Sequence, residues 1–271
     1  MPGVHITLAT DPESCRAIED LQLEVWGLPP RGLVPAEQVR AVVHNGGMLL
    51  LARDDDAKLI GYCYAFVGVE DREPILCSHM LAVLPAARGA GVGRALKLAQ
   101  REFARERGFA KITWTFDPLQ ARNAYLNLHR LRAYARRYFV DHYGPMDDDL
   151  NRGLPTDRLL AEWPVSPVSG EDAPRASGAE PDVPWILPAV TKGRLPFPGP
   201  TAHDHLQRAG GLVAVPSDID ALKRSGTDVP LRWRFALRTT LQEAFAAGLV
   251  AVDVKRNAGL GVAAYVLEPT G

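Results

Sequence analysis

The chain has 271 residues, 46% hydrophobic and 23% charged, with 31 Lys and Arg against 32 Asp and Glu. That balance argues against a protein built for nucleic acid or for an acidic membrane surface, and the length suits one large or two modest domains. Cys15, Cys63 and Cys77 stand far apart with no metal-type or redox-type spacing, which fits reduced thiols and no metal centre. The first residues lack a basic start followed by an apolar stretch, and no apolar run is long enough to cross a bilayer, so a soluble cytoplasmic protein without a signal peptide is expected.

In chain order, a short strand at Ile6–Leu8 leads to Asp11-Pro12-Glu13. Asp suits an N-cap and Pro the first helical position, so a helix starts there, with Ala17, Ile18, Leu21 and Val25 on its core face. A second short helix covers Pro35 to His44. The period then changes: Met48–Ala52, the Asp54-Asp55-Asp56 turn and Leu59–Val67 read as an antiparallel hairpin. Ile75–Leu84 is a third strand. A glycine-rich turn follows, and Val92, Leu96, Ala99 and Phe103 mark the next helix, stopped by Gly108. Lys111–Phe116 is a strand, Asn123 to about Tyr138 a second amphipathic helix, and Tyr138–Tyr143 and Asp157–Trp163 two further strands. About a quarter of residues 164–200 are proline, which reads as a linker or an extended wrap. Order returns near Leu212 with a strand and a capped helix. Val229, Trp233, Leu237, Leu241 and Phe245 step along another helix, and "LVAVDVKR" and "GVAAYVLEP" form a hairpin. The expected domains are 1–165, a proline-rich segment 166–200, and a C-terminal α/β region 201–271.

The stretch "LAVLPAARGAGVGRALKLAQ" (81–100) carries the chemistry. A turn directly ahead of a helix exposes the helix's free N–H groups and the positive end of its dipole. Glycines let the backbone wrap an anion closely. Arg88 to Arg94 fit a phosphate cradle, with Lys97 and Arg101 adding charge; the bland alternative is a turn kept for tight packing. A P-loop would need Lys-Ser or Lys-Thr after the last glycine, and Arg94-Ala95 stands there. A dinucleotide fingerprint finds Gly89 and Gly91 but Arg94 in the third slot; Asp117 lies where its ribose-binding acid would fall, so that reading stays open.

The third pattern, Arg/Gln-x-x-Gly-x-Gly/Ala, is matched fully by Arg88-Gly89-Ala90-Gly91-Val92-Gly93. Together with "ITWTFDPLQARNAYLNLHRL" and the element order over roughly residues 1–165, it resembles the GNAT N-acyltransferase superfamily. The phrasing also resembles a branch with a C-terminal extension, some of whose relatives are associated with acylated amino acids, including N-succinylation. The resemblance implies an α/β (α+β) fold: a mixed, mostly antiparallel central sheet flanked by helices, plus a smaller C-terminal α/β region. It implies an acyl-CoA co-substrate and no metal. The loop amides of Arg88, Gly89, Ala90, Gly91, Val92, Gly93 and Arg94 would hold its pyrophosphate. Leu81, Ala82 and Val83 would grip the pantetheine arm, with the Leu81 amide facing the thioester oxygen, and Asn123 would contact the cofactor. The acceptor would be a small-molecule amine, and the family also makes a homodimer an option.

A free amine has a pKa of about 8 to 10.4, so a base must take its proton. Where many GNAT enzymes carry Glu, this chain has Cys77. His79, two residues on and on the same face, matches one member of a histidine pair in the arylalkylamine acetyltransferase branch; a structural histidine bonding a neighbouring strand is the equal alternative. The family's Tyr acid falls at Leu128 here, leaving Tyr125 and His129 as substitutes that are otherwise packing or surface residues. Arg122, Arg130, Arg132, Arg136 and Arg137 crowd a stretch without acids, either as a solvated helix face or as an attractor for CoA phosphates or a carboxylate. Arg232, Arg234 and Arg238 read as solvated. A non-catalytic acyl-CoA-binding module and, more weakly, a nucleotide-cofactor oxidoreductase are the competing functions.

Overall fold

The computed structural model describes residues 3–27, 32–146, 151, 153–166, 183–207 and 210–270. The described residues divide into two compact units. The first holds residues up to Trp114 with 164–166, and the second holds the rest from Thr115 onward.

In the first unit, β1 (His5–Leu8), β2 (Met48–Arg53), β3 (Leu59–Glu70) and β4 (Glu73–Val83) pair antiparallel in that order. The start of β5 (Lys111–Phe116) joins β4 in parallel. Helix α1 (Pro12–Trp26) begins at Asp11, whose side chain accepts from the Ser14 amide. It packs with α2 (Ala36–His44) over one face of the sheet, burying Ile18, Leu21 and Val39 against Leu49, Leu51, Tyr62 and Tyr64. Helix α3 (Val92–Glu106) turns Val92, Leu96, Phe103 and Ala104 inward, as the apolar spacing requires.

The second unit begins with α4 (Ala121–Ala124), which runs into a six-residue π-helical turn, Tyr125–Arg130. The single helix expected to about Tyr138 is therefore corrected. The chain leaves the helical path at Arg132, at a φ of 60°, and Tyr134–Phe139 is strand β6. Its partners are β7 (Arg158–Pro164) and β12 (Leu249–Lys255), both antiparallel. The sheet continues through β13 (Val262–Pro269) and β11 (Gly211–Pro216) to β8 (Trp185–Leu187). A two-stranded ribbon, β9 (Ala189–Lys192) and β10 (Leu195–Pro198), lies within the proline-rich stretch, whose residues 167–182 fall outside the described set. Helix α5 (Ile219–Arg224) is capped by Asp218, and α6 (Val229–Ala246) buries Trp233, Leu237 and Leu241.

Ion pairs close the second unit. The Arg234 side chain, 1% exposed, donates from both terminal nitrogens to Asp117 at 2.8 and 2.7 Å. Arg238 grips Asp157 at 2.8 Å through two nitrogens, and Tyr138 donates to the same carboxylate at 2.7 Å. Arg136 and Arg137 both reach the buried Glu162, and Arg132 reaches Asp253 at 4.0 Å. Arg234 and Arg238 are thus structural rather than solvated. Within the arginine-rich stretch, Arg132, Arg136 and Arg137 find their acids far away in sequence.

Candidate active site

The glycine turn follows β4 directly. Pro85–Ala87 forms one 3₁₀ turn, Arg88 is extended, and Gly89 and Gly91 take φ of 85° and 86°. A Cβ at either glycine would meet nothing within 4 Å, so the requirement there is backbone conformation, not space. Gly93 differs: its Cβ would sit 3.8 Å from Val83 and 3.9 Å from Leu81, ordinary contact distances. That explains why the pattern tolerates Ala at its last position.

Among the described residues, none of the amides from Gly89 to Arg94 has a backbone acceptor; the first bond of the turn into α3 is Ala95 N–H to Gly91. Helix α3 has no side-chain cap and no acid in its first turn. Arg94 sits there instead, exposed. Positive charge at the positive end of a helix is unfavourable unless an anion joins it. The Arg88 Nε donates to the Val83 carbonyl at 3.1 Å, pinning the turn to the end of β4. Unpartnered amides, left-handed glycines and an uncompensated helix start fit a diphosphate.

The strand below has an unpaired edge. The parallel β4–β5 ladder holds Leu76↔Ile112 and Cys77↔Thr113; among the described residues it goes no further along β4. Strand β4 runs on to Val83 with Leu81, Ala82 and Val83 paired only to β3. The β3–β4 register slips between Tyr64 and Ala65, which pair with Met80 and Ser78, so His79 is the bulged residue. Bulges re-aim side chains. The His79 ring lies against Tyr64 and Phe66, centroids 6.1 and 5.8 Å away; Phe66 pairs with Cys77, which keeps His79 and Cys77 on one face as expected. His79 is exposed overall, while desolvation of its imidazole lowers its pKa from the ordinary 6.5. That shift favours the neutral ring, which can accept a proton. The Cys77 thiol, receiving a 3.8 Å contact from the Thr113 hydroxyl, is pushed up by burial and is no base.

Lys97 is corrected. Its amine is buried, donating to Ser78 at 2.8 Å and Gln100 at 3.0 Å, with the Trp114 ring 3.6 Å away. It does not reach out to the turn. Desolvation lowers its pKa to about 8. Arg101 donates to the Val165 carbonyl. No sequence pattern flags Lys97 as buried, because lysine at that spacing normally marks a solvated face.

The remaining candidates sit in the second unit. Asn123 is exposed on α4. The Tyr125 and His129 rings stack at 4.4 Å, and the Arg256 guanidinium covers Tyr125 at 3.7 Å. His129 Nδ1 lies 2.9 Å from the Asp253 carboxylate. Leu128, at the family's tyrosine slot, is fully buried. Asp117, the oxidoreductase reading's ribose acid, is engaged by Arg234 and by the Leu119 amide.

Residues 14–131 match the model of the acetyltransferase (GNAT) family. This segment is a GNAT acetyltransferase domain. The match ends one residue past the π-helical turn and includes the whole glycine turn. A domain of that family makes the protein an enzyme. Among curated proteins, none matches it. Solved structures similar to this chain include the ribosomal-protein-S18-alanine N-acetyltransferase of Escherichia coli, 16% identical over 64% of this chain and 98% of that one, TM-score 0.47. The IAA acetyltransferase of Bacillus cereus is 15% identical over 60% and 99%, TM-score 0.44. A GNAT family acetyltransferase of Elizabethkingia anophelis, with acetyl-CoA bound, is 17% identical over 59% and 97%, TM-score 0.43. Among the described residues, no cluster of His, Cys, Asp and Glu could hold a metal ion and no helix is long and apolar enough to cross a membrane.

Proposed function

We propose that the chain is an N-acyltransferase that moves an acetyl or succinyl group from acyl-CoA to the amine of a small molecule, such as an amino acid. The row of unpartnered amides from Gly89 to Arg94 supports this reading most directly. The diphosphate lies on those amides, and the pantetheine arm follows Leu81, Ala82 and Val83 along the open edge of β4. The amine nitrogen attacks the thioester carbon and gives its proton to His79. The oxyanion accepts from the Leu81 amide, and it collapses as the C–S bond breaks and the thiolate leaves. Tyr125 and His129 are the candidate donors of the proton the thiolate takes up.

The test is thiol release from acetyl-CoA and succinyl-CoA against a panel of amines. Turnover with at least one pair is expected. His79→Gln should lower it about 10²-fold or more and remove the acid limb of the pH profile, which lies below 6.5 because the imidazole's pKa is lowered. An unchanged profile would remove His79 as the base. Cys77 in place of a carboxylate favours a second reading, an acyl-CoA-binding module without transfer. A CoA-dependent rise in melting temperature with no thiol released from any pair would select it.

A further inference from the structure

The second unit pairs many of its arginines with acids: Arg234 with Asp117, Arg238 with Asp157, Arg136 and Arg137 with Glu162. Arg122 and Arg256 break this habit. Among the described residues neither has a carboxylate partner, and both line one cavity of about 290 Å³. Ser217, Asn257, Ala121 and Ala263 complete its lining. The wall therefore offers two guanidinium groups, a hydroxyl and a side-chain amide, and no acid.

The surroundings hold these groups in place. The Arg256 guanidinium sits over the Tyr125 ring, its central carbon 3.7 Å from the ring centre, which anchors it at the cavity wall. Asn257, Gly259, Leu260 and Gly261 all take positive φ, from 49° to 84°, and Ser217 N–H ties the tip of this turn to its own strand through the Gly261 carbonyl. Non-glycine residues adopt that conformation at a cost, so the turn that presents Arg256 and Asn257 is held by its neighbours. A smaller cavity beside the first shares Arg122 and Ser217 and adds Gln120, whose buried Nε2 has no acceptor. Asp218 and Asp220 line that smaller cavity, but Asp218 is occupied capping Ala221.

We propose that the larger cavity binds a small oxyanion, a carboxylate or a phosphate ester, with Arg122 and Arg256 as its paired cations. Guanidinium forks match the planar, bidentate geometry of such groups. The volume lies at the low end for small-molecule sites, which fits a compact organic acid or phosphate ester. The site stands on its own geometry and does not depend on acyl transfer.

The experiment is calorimetric titration of the full chain with succinate and, separately, with inorganic phosphate, against chloride at matched ionic strength. At least one anion should bind saturably, and the better one names the source. Arg122→Gln and Arg256→Gln should each weaken it about tenfold. Both side chains are exposed, so the variants are expected to keep the wild-type melting temperature in chloride. The pairing is separated from general attraction by Arg224→Gln, an exposed arginine outside this cavity, which should leave binding unchanged. Binding of neither anion beyond the chloride baseline would overturn the proposal. So would equal binding by wild type and the Arg122→Gln/Arg256→Gln double variant.

Discussion

The glycine turn of the first unit and the arginine-lined core of the second handle polar groups in opposite ways. In the core the charged groups are closed on one another: Asp117 takes both terminal nitrogens of Arg234, and Asp157 takes two nitrogens of Arg238 and the Tyr138 hydroxyl. In the turn, the amides from Gly89 to Arg94 are left without backbone partners, and the helix behind them has no cap. The contrast also holds between helices of equal length. Helix α1 satisfies its first turn with Asp11 and carries Glu13, whereas α3 carries Arg94. A charge that the chain pairs itself is architecture; a run of main-chain amides left open at a helix start fits an anion.

Substitutions can sharpen this division. The largest effect should come from Arg234→Ala, which leaves the Asp117 carboxylate, only 11% exposed, without its cation. A loss of about 3–5 kcal/mol is expected from the urea midpoint. Next is Lys97→Met. Burial lowers the Lys97 pKa from 10.5 to about 8, so between those values the unfolded chain holds more protons than the folded one. Wild-type stability should therefore rise with pH across that window, by about 3 kcal/mol in total, and the rise should vanish in the variant. Gly91→Ala should cost about 1–2 kcal/mol from its left-handed backbone and, more tellingly, remove most of the melting-temperature rise that CoA produces. Gly93→Ala should leave both stability and that rise near wild type, because its φ is ordinary and its neighbours lie at contact distance. Equal responses at Gly91 and Gly93 would break the distinction between conformation and space.

The turn was legible in sequence because everything it needs is local: two glycines at fixed offsets, a strand before and an amphipathic helix after. The first-unit elements were legible for the same reason, since Asp11-Pro12 and the hairpin turn act over a few residues. The stretch after Asn123 was not. "LNLHRLRAYARRYF" contains good helix formers and neither Gly nor Pro, so nothing marks the break. The break comes instead from Arg132 in a left-handed conformation and from β6 pairing with β7 and β12, the latter more than a hundred residues on. Tyr134, Arg136 and Tyr138 do alternate, a period-2 signal outweighed by the helical reading. The ion pairs were hidden by the same distance. Arg234 looks like a solvated helix residue until Asp117 is beside it, and Lys97 until Ser78 and Trp114 surround it.

The proposed grip by main-chain nitrogen has a pharmacological corollary. A diphosphate mimic competing at residues 88–94 would meet groups that every polypeptide possesses, so it could not discriminate this enzyme from others sharing the turn, and resistance by side-chain replacement would be hard to evolve. Selective inhibitors should be sought where recognition is written in side chains.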